Sequence, residues 1–255
     1  MHNSARHYGP VARSLHWLTA ALILTIFPLG LYAQGLPHDT SAALAYKAQV
    51  FSIHKTLGVA AFFTALLRVL WAFSQPRPAP LHPERRLETF VADLIHWSLY
   101  AAMLIVPLSG WLGHAATEGF APIRWPFGQD LPGIPKSPDL AHAFGLVHWL
   151  ATKLLLVSLA LHIAGALKHA LIDRDVTLAR MTRGTPGGTG APHSRTPAAA
   201  ALALWVVAVG AAFTLSAPRA TEAQAQAPAL AAQTAAAPPA TGLWQVETGS
   251  LSFTV

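Results

Sequence analysis

Apolar residues fall along this chain in long unbroken runs. Between Ser14 and His38 there is no Asp, Glu, Lys or Arg, and the same holds over 56–67, 94–117, 154–167 and 196–218. The runs are continuous rather than alternating, so they predict α-helices and not the strands of a membrane barrel. Lys and Arg at the run ends reach back to the membrane surface and lengthen the second and fourth spans. The pattern predicts helices over 14–33, 51–73, 90–113, 143–168 and 197–217, each long enough to cross a hydrocarbon layer of about 30 Å. The expected fold is all-α: an integral membrane four-helix bundle, followed by a fifth transmembrane or signal-like helix.

Composition agrees. Of 255 residues, 53% are hydrophobic and 11% charged, against about 25% charged in an ordinary soluble domain. The absence of cysteine excludes disulfides, iron–sulfur clusters and covalently attached c-type heme. A net charge of +6 raises nucleic acid as a partner. The cations instead sit in a few loops between apolar spans, with no nucleic-acid module, so no nucleic-acid partner is expected.

Those cations set an orientation. Arg6 and Arg13 precede the first span; Arg77, Arg85 and Arg86 follow the second; Lys168, Arg174, Arg180, Arg183 and Arg195 follow the fourth. Alternating helices put all three groups on one side, which the positive-inside rule makes cytoplasmic. The expected location is the bacterial inner membrane, with the N-terminus cytoplasmic and the C-terminal tail periplasmic. Most tryptophans lie near span ends, as in an interfacial belt. The Pro- and Gly-rich loop near 117–141 reads as a short cap over the outer end or as a plain connector. Residues 184–196, GTPGGTGAPHSRT, read as a flexible linker. The fifth helix is Ala-rich, and with Arg195 before it and EAQAQA after it this region also has the pattern of an export signal; an uncleaved anchor is the preferred reading. The expected organisation is a four-helix domain over 1–183, the linker 184–196, the helix 197–217, an Ala/Pro/Gln-rich linker 218–240 and a β-like fragment 241–255.

The chemistry lies in the histidines. His148 and His162 are fourteen residues apart on one predicted helix. That is close to four turns, so both rings share a face at levels about 21 Å apart. His54 falls at the outer level with His148; His16, His162 and His96 fall at the inner one. Two His–His pairs at two depths is the arrangement that two bis-imidazole hemes require, because low-spin heme iron takes an axial ligand on each face. Neutral imidazole supplies both without adding charge to the bilayer, and facing helices supply the geometry. The heme-ligand set is His16, His54, His148 and His162. A single metal ion shared by His148 and His162 is excluded by their separation, and a proton relay is disfavoured by the absence of acids from the spans.

His96 has two readings: a replacement for His16 or His162 as ligand, or a contact to a heme propionate or a quinone. Arg68 either pairs with a propionate or reaches to the surface, and Arg13 is a similar propionate candidate. Gly58 and Gly165, one turn from His54 and His162, either let a flat ring approach the backbone or serve helix packing. Pro107 and Gly110 are expected to kink the third helix. His142 and His169 are read as interfacial, and His2, His7, His38, His82, His114 and His193 as solvated or interfacial.

Four segments appear in order: RHYGPVARSLHWLTA, SIHKTLGVAAFFTALLRVLW, PLSGWLG and HWLATKLLLVSLALHIAGALKHALIDRDVTLARM. Together they resemble the bacterial cytochrome b561 family, which is grouped with the cytochrome b subunits of nickel hydrogenases and formate dehydrogenases. The resemblance covers about residues 4–183. It implies a four-helix protein with two non-covalent b-type hemes that oxidises quinol or reduces quinone. It also implies the ligand pairs His54 with His148 and His16 with His162. An anchor subunit that exchanges electrons with a periplasmic dehydrogenase or hydrogenase is the alternative, and the expected partners are quinol or quinone, membrane lipid, and a homodimer mate or redox subunit. The final LWQVETGSLSFTV resembles the first strand of the YceI-like lipid-binding β-barrels, which implies a third reading: a non-redox anchor for an isoprenoid-binding periplasmic domain.

Overall fold

A computed structural model describes residues 2–117, 119–188 and 193–217. The expected linker 218–240 and β-like fragment 241–255 lie outside them. The described residues are helical throughout their ordered elements: α1 (Pro10–Gly35), α2 (Ser41–Ser74), α3 (Arg86–Ala116), α4 (Pro138–Lys168), a π-turn (His169–Asp173), α5 (Thr177–Thr182) and α6 (Thr196–Ser216). Five helices are long and apolar enough to cross a membrane.

The long helices overrun the charge-free runs. α2 starts ten residues before the predicted 51, where the Thr40 hydroxyl accepts from Ala43 N–H. α4 starts at Pro138 behind Ser137, which caps Leu140 N–H. A charge-free run marks where hydrocarbon begins, whereas a helix ends where its orphan amides find a cap. Pro28 and Pro107 lie inside α1 and α3, each removing one backbone donor from its helix.

α3 packs on α2, α4 and α6, and α1 packs on α2. α6 joins the bundle through buried Ala201, Trp205 and Ala212, with Trp205 only 3% exposed beside Ala102, Ala151 and Leu155. Many large apolar side chains of the spans are exposed, among them Leu24, Phe63, Leu70, Val157 and Leu161. That surface suits lipid rather than water.

The three basic segments meet at one end of the bundle. Ala79 N–H donates to Ala5 carbonyl and Gly187 N–H to Arg6 carbonyl, both at 2.8 Å. Arg180 donates to Ala79 carbonyl and stands over the Tyr8 ring. Gly188 has φ +91°, and a Cβ there would lie 2.6 Å from the Ala79 carbonyl oxygen, so only glycine fits. The buried Asp93 carboxylate takes Arg77 at 2.5 Å and His193 at 3.1 Å. His193 is therefore a structural tie between α3 and the segment entering α6, and not a solvated residue.

The segment between α3 and α4 is a folded cap. Lys136 donates to the carbonyls of Ala115 and Thr117, both at 2.9 Å, and Arg124 N–H donates to Thr56 Oγ1 at 2.8 Å. His114, expected to be solvated or interfacial, is 6% exposed, with Lys55 Nζ at Nδ1 (3.2 Å) and Gln129 Oε1 at Nε2 (3.1 Å).

Candidate functional site

The four histidines expected as ligands come together in two pairs. His54 of α2 faces His148 of α4 with ring centres 6.5 Å apart and planes at 82°. His16 of α1 faces His162 of α4 at 6.1 Å and 59°. The backbone of α4 packs on α3 and α6, so it is the imidazoles that reach from α4 toward α1 and α2. A metal–imidazole bond of about 2 Å on each side, plus about 1.2 Å from nitrogen to ring centre, separates trans ring centres by about 6.4 Å. Both ring-centre spacings lie close to that value.

The outer pair has two matching seats. His54 donates Nδ1–H to the Ile26 carbonyl of α1 at 3.1 Å, and His148 donates Nδ1–H to the Val106 carbonyl of α3 at 2.9 Å. Each bond fixes the tautomer and leaves the Nε2 lone pair free, the form a metal-binding histidine needs. Four residues after each carbonyl stands a glycine. A Cβ at Gly30 would lie 2.7 Å from His54 Cε1, and one at Gly110 would lie 3.1 Å from His148 Cε1 and Nδ1. The glycines let the rings lie against the helix backbones.

Gly58 and Gly165, one turn from His54 and His162 on their own helices, face open space. A Cβ at either would meet no protein atom within 4 Å, so the helix-packing reading does not hold for them. The seating glycines are on the neighbouring helices. The signal was present in TIFPLG and VPLSG, where Pro and Gly punctuate an apolar helix, but its partner could not be read from spacing.

The inner pair is more crowded. His96 of α3 also stands over His162, with ring centres 5.1 Å apart, and donates Nδ1–H to Ala92 carbonyl at 2.7 Å. Arg68 of α2 turns into the bundle, donating to His16 Nδ1 at 3.0 Å and standing over the Tyr100 ring. A guanidinium only donates, so here His16 accepts at Nδ1 and its proton is on Nε2. Arg13 donates to the Thr182 carbonyl at 3.0 Å, linking α1 to the end of α5. The structure thus joins His16, His96, His162 and Arg68 in one cluster and engages Arg13 elsewhere.

An apolar helical bundle with paired histidines reaching across it from α4 defines a membrane electron-transfer protein of the cytochrome b kind. The comparisons make the family explicit. A family model described as prokaryotic cytochrome b561 matches residues 7–184, and the chain belongs to that family. It is 31% identical over 181 residues to cytochrome b561 homolog 2 of Escherichia coli (strain K12), covering 70% of this chain and 93% of that protein. It is 24% identical over 177 residues to a probable superoxide oxidase CybB of Yersinia pestis, covering 69% of this chain and 96% of that protein. The protein is a multi-pass membrane cytochrome that transfers electrons with b-type heme.

Proposed function

We propose that this chain holds two hemes b, one between His54 and His148 and one between His16 and His162, and that it oxidises quinol in the bacterial inner membrane. The observation that carries the reading is that α4 contributes one histidine to each of two cross-helix pairs. Bound heme exchanges one electron at a time, which lets a two-electron quinol be oxidised in single steps. The chain's part is to hold each iron with two neutral imidazoles, to exclude other axial ligands and to orient the rings. Ile26 and Val106 do the last for the outer pair.

At the inner level two criteria disagree. The His96 tautomer already suits a ligand, whereas the 6.1 Å spacing of His16 and His162 suits an iron and the 5.1 Å of His96 and His162 is too short. The spacing favours His16, because Arg68 is a flexible side chain that can leave Nδ1. With Arg68 released from Nδ1 and the ring proton moved from Nε2 to Nδ1, His16 would offer a free Nε2 to the iron, and the guanidinium would be available to an anionic propionate. His96 is left as a quinone or propionate contact, and Arg13 as a weaker propionate candidate. The basic end is assigned to the cytoplasm by its Arg and Lys.

The test is heme stoichiometry with a quinol assay. A reduced-minus-oxidised spectrum and a pyridine hemochrome measurement on purified protein give two hemes per chain, and added ubiquinol or menaquinol reduces them. One heme per chain, or none, rejects the reading. The name of the Yersinia pestis relative motivates a second reading, in which superoxide gives up one electron at the outer end and quinone is reduced. Lys55, one residue from His54 and bonded to the cap carbonyls of Phe120 and Ala121 at 2.7 and 3.1 Å, places a cation at that end. Heme reduction by a superoxide-generating system under quinol-free conditions distinguishes the two directions.

A further inference from the structure

The end of α4 carries a second cluster that heme binding does not use. α4 widens into the π-turn His169–Asp173, and Arg174 then takes a left-handed backbone, φ +53°. The reversal brings Asp175 back, so that its N–H donates to the His169 carbonyl at 3.1 Å. Single π-turns of this kind recur at functional positions. From the α2–α3 connection, His82 meets the same point, its ring stacked on His169 at 6.2 Å and 2°.

Three ligand atoms converge there. Asp175 Oδ1 accepts from Thr177 N–H at 2.8 Å, which leaves Oδ2 to face His169 Nδ1 at 2.7 Å and His82 Nε2 at 3.1 Å. One ligand atom from each of the three residues lies within 4.8 Å of the others. The opposite nitrogen of each ring faces a different carboxylate: His82 Nδ1 with Glu84 at 3.3 Å and His169 Nε2 with Glu88 at 3.2 Å. That is the carboxylate–histidine–metal arrangement, in which an outer acid orients the ring and raises its basicity.

Charge is balanced around the cluster but not within it. Lys168 pairs with Glu88 and Asp173 at 2.6 and 2.7 Å, and Arg85 with Asp173 at 3.3 Å. Among the described residues no Lys or Arg pairs with Asp175. Burial opposes its ionisation, yet hydrogen bonds from Thr177, His169 and His82 outweigh that and hold the carboxyl well below the usual range. Asp175 is thus a carboxylate facing two imidazoles.

We propose that His82, His169 and Asp175 bind one borderline divalent cation, Zn2+ in the first instance, through His82 Nε2, His169 Nδ1 and Asp175 Oδ2. Two imidazoles, one carboxylate and one water make an ordinary four-coordinate zinc set with no thiolate. Tetrahedral bonds of about 2.0–2.1 Å put ligand atoms about 3.3 Å apart, so entry of the ion opens the His169–Asp175 contact of 2.7 Å by about 0.6 Å and the His82–Asp175 contact of 3.1 Å by about 0.2 Å. It would fasten the α2–α3 connection to the end of α4. His169 is seven residues beyond His162, about 10 Å along the helix axis, so the ion sits near the inner histidines and touches none of them.

The experiment uses the heme-loaded, tag-free full chain after chelation. Calorimetry with Zn2+ is expected to show one ion per chain, and Co2+ to give the visible bands of a four-coordinate site. His82→Ala and Asp175→Asn each weaken binding at least tenfold with the heme spectrum unchanged, and Glu84→Gln weakens it by about tenfold through ring orientation. If His82→Ala does not fold, His82→Gln replaces it, since the amide keeps a polar contact to Asp175. Zn2+ binding of equal affinity and stoichiometry in these variants overturns the proposal by placing the ion elsewhere. No Zn2+ binding to heme-replete protein overturns it by leaving a hydrogen-bonded tie alone.

Discussion

The outer and inner histidine pairs share helix α4 and nearly share a ring spacing, yet they are built differently. At the outer level each imidazole rests on a neighbouring helix, with its Nδ1 on a carbonyl and its edge over a glycine. The tautomer is set before any metal arrives. At the inner level His16 is tied to Arg68 and a third ring, His96, competes for His162. Under the proposed ligation, one level is preorganised and the other must first break a side-chain hydrogen bond. A pair of ligands can therefore be legible as residues while its readiness to bind is decided by what stands behind them.

The largest expected effect separates the levels outright. His148→Ala removes the outer heme and His162→Ala the inner one, each halving the heme content, and the two variants leave hemes of different midpoint potential. Loss of both hemes in either variant would show that the levels are not independent, and loss of neither would remove His148 and His162 from the ligand set. Next comes the glycine seat. Gly30→Ala drives a methyl into the His54 ring and is expected to destabilise the outer site by about 1–3 kcal/mol, seen as heme lost on purification. Gly110→Ala, with 3.1 Å rather than 2.7 Å to the ring, has the same sign and a smaller size.

His96→Ala sharpens the inner side. It is expected to keep two hemes, whereas His16→Ala keeps one, as read by pyridine hemochrome; the opposite result transfers the ligand role to His96. Arg68→Gln keeps both hemes and lowers the inner midpoint potential on the order of tens of millivolts, because a buried cation favours the reduced form. Redox titration measures it, and an unchanged potential places Arg68 outside the inner site.

The smallest effect lies in the cap. Lys136 hydrogen-bonds Asp130 and holds its carboxyl below the ordinary value. A lowered carboxylate pKa stabilises the fold above the ordinary range, and that contribution is lost as pH falls through the lowered value. Trp125 fluorescence in the cap should therefore change slightly on acidification, and Asp130→Asn should remove that dependence with both hemes retained.

The spans were legible because hydrocarbon excludes charge over a fixed thickness, and depth along those spans was enough to put His54 with His148 at one level and His16, His96 and His162 at the other, the pairing of His16 with His162 coming only from the family resemblance. Helix ends were not, because Thr40 and Ser137 act through local hydrogen bonds that extend helices beyond the membrane layer. Gly30, and the seating role of Gly110, could not be read from spacing because each serves a ring on another helix. The His82, His169 and Asp175 cluster was equally hidden: its members come from two connections, and His82 and His169 read as ordinary interfacial residues until the π-turn brings them together. His114 was hidden for the same reason, its partners Lys55 and Gln129 arriving from α2 and the cap.

The glycine and carbonyl seats also bear on the order of biosynthesis. The seat for His54 is complete within the α1–α2 hairpin, and the seat for His148 within the α3–α4 hairpin. Each hairpin can leave the translocon with its own outer ligand already oriented, and docking of the two hairpins then only has to bring the oriented rings face to face. The inner cluster draws one residue from each of the four helices, so neither hairpin carries it preassembled.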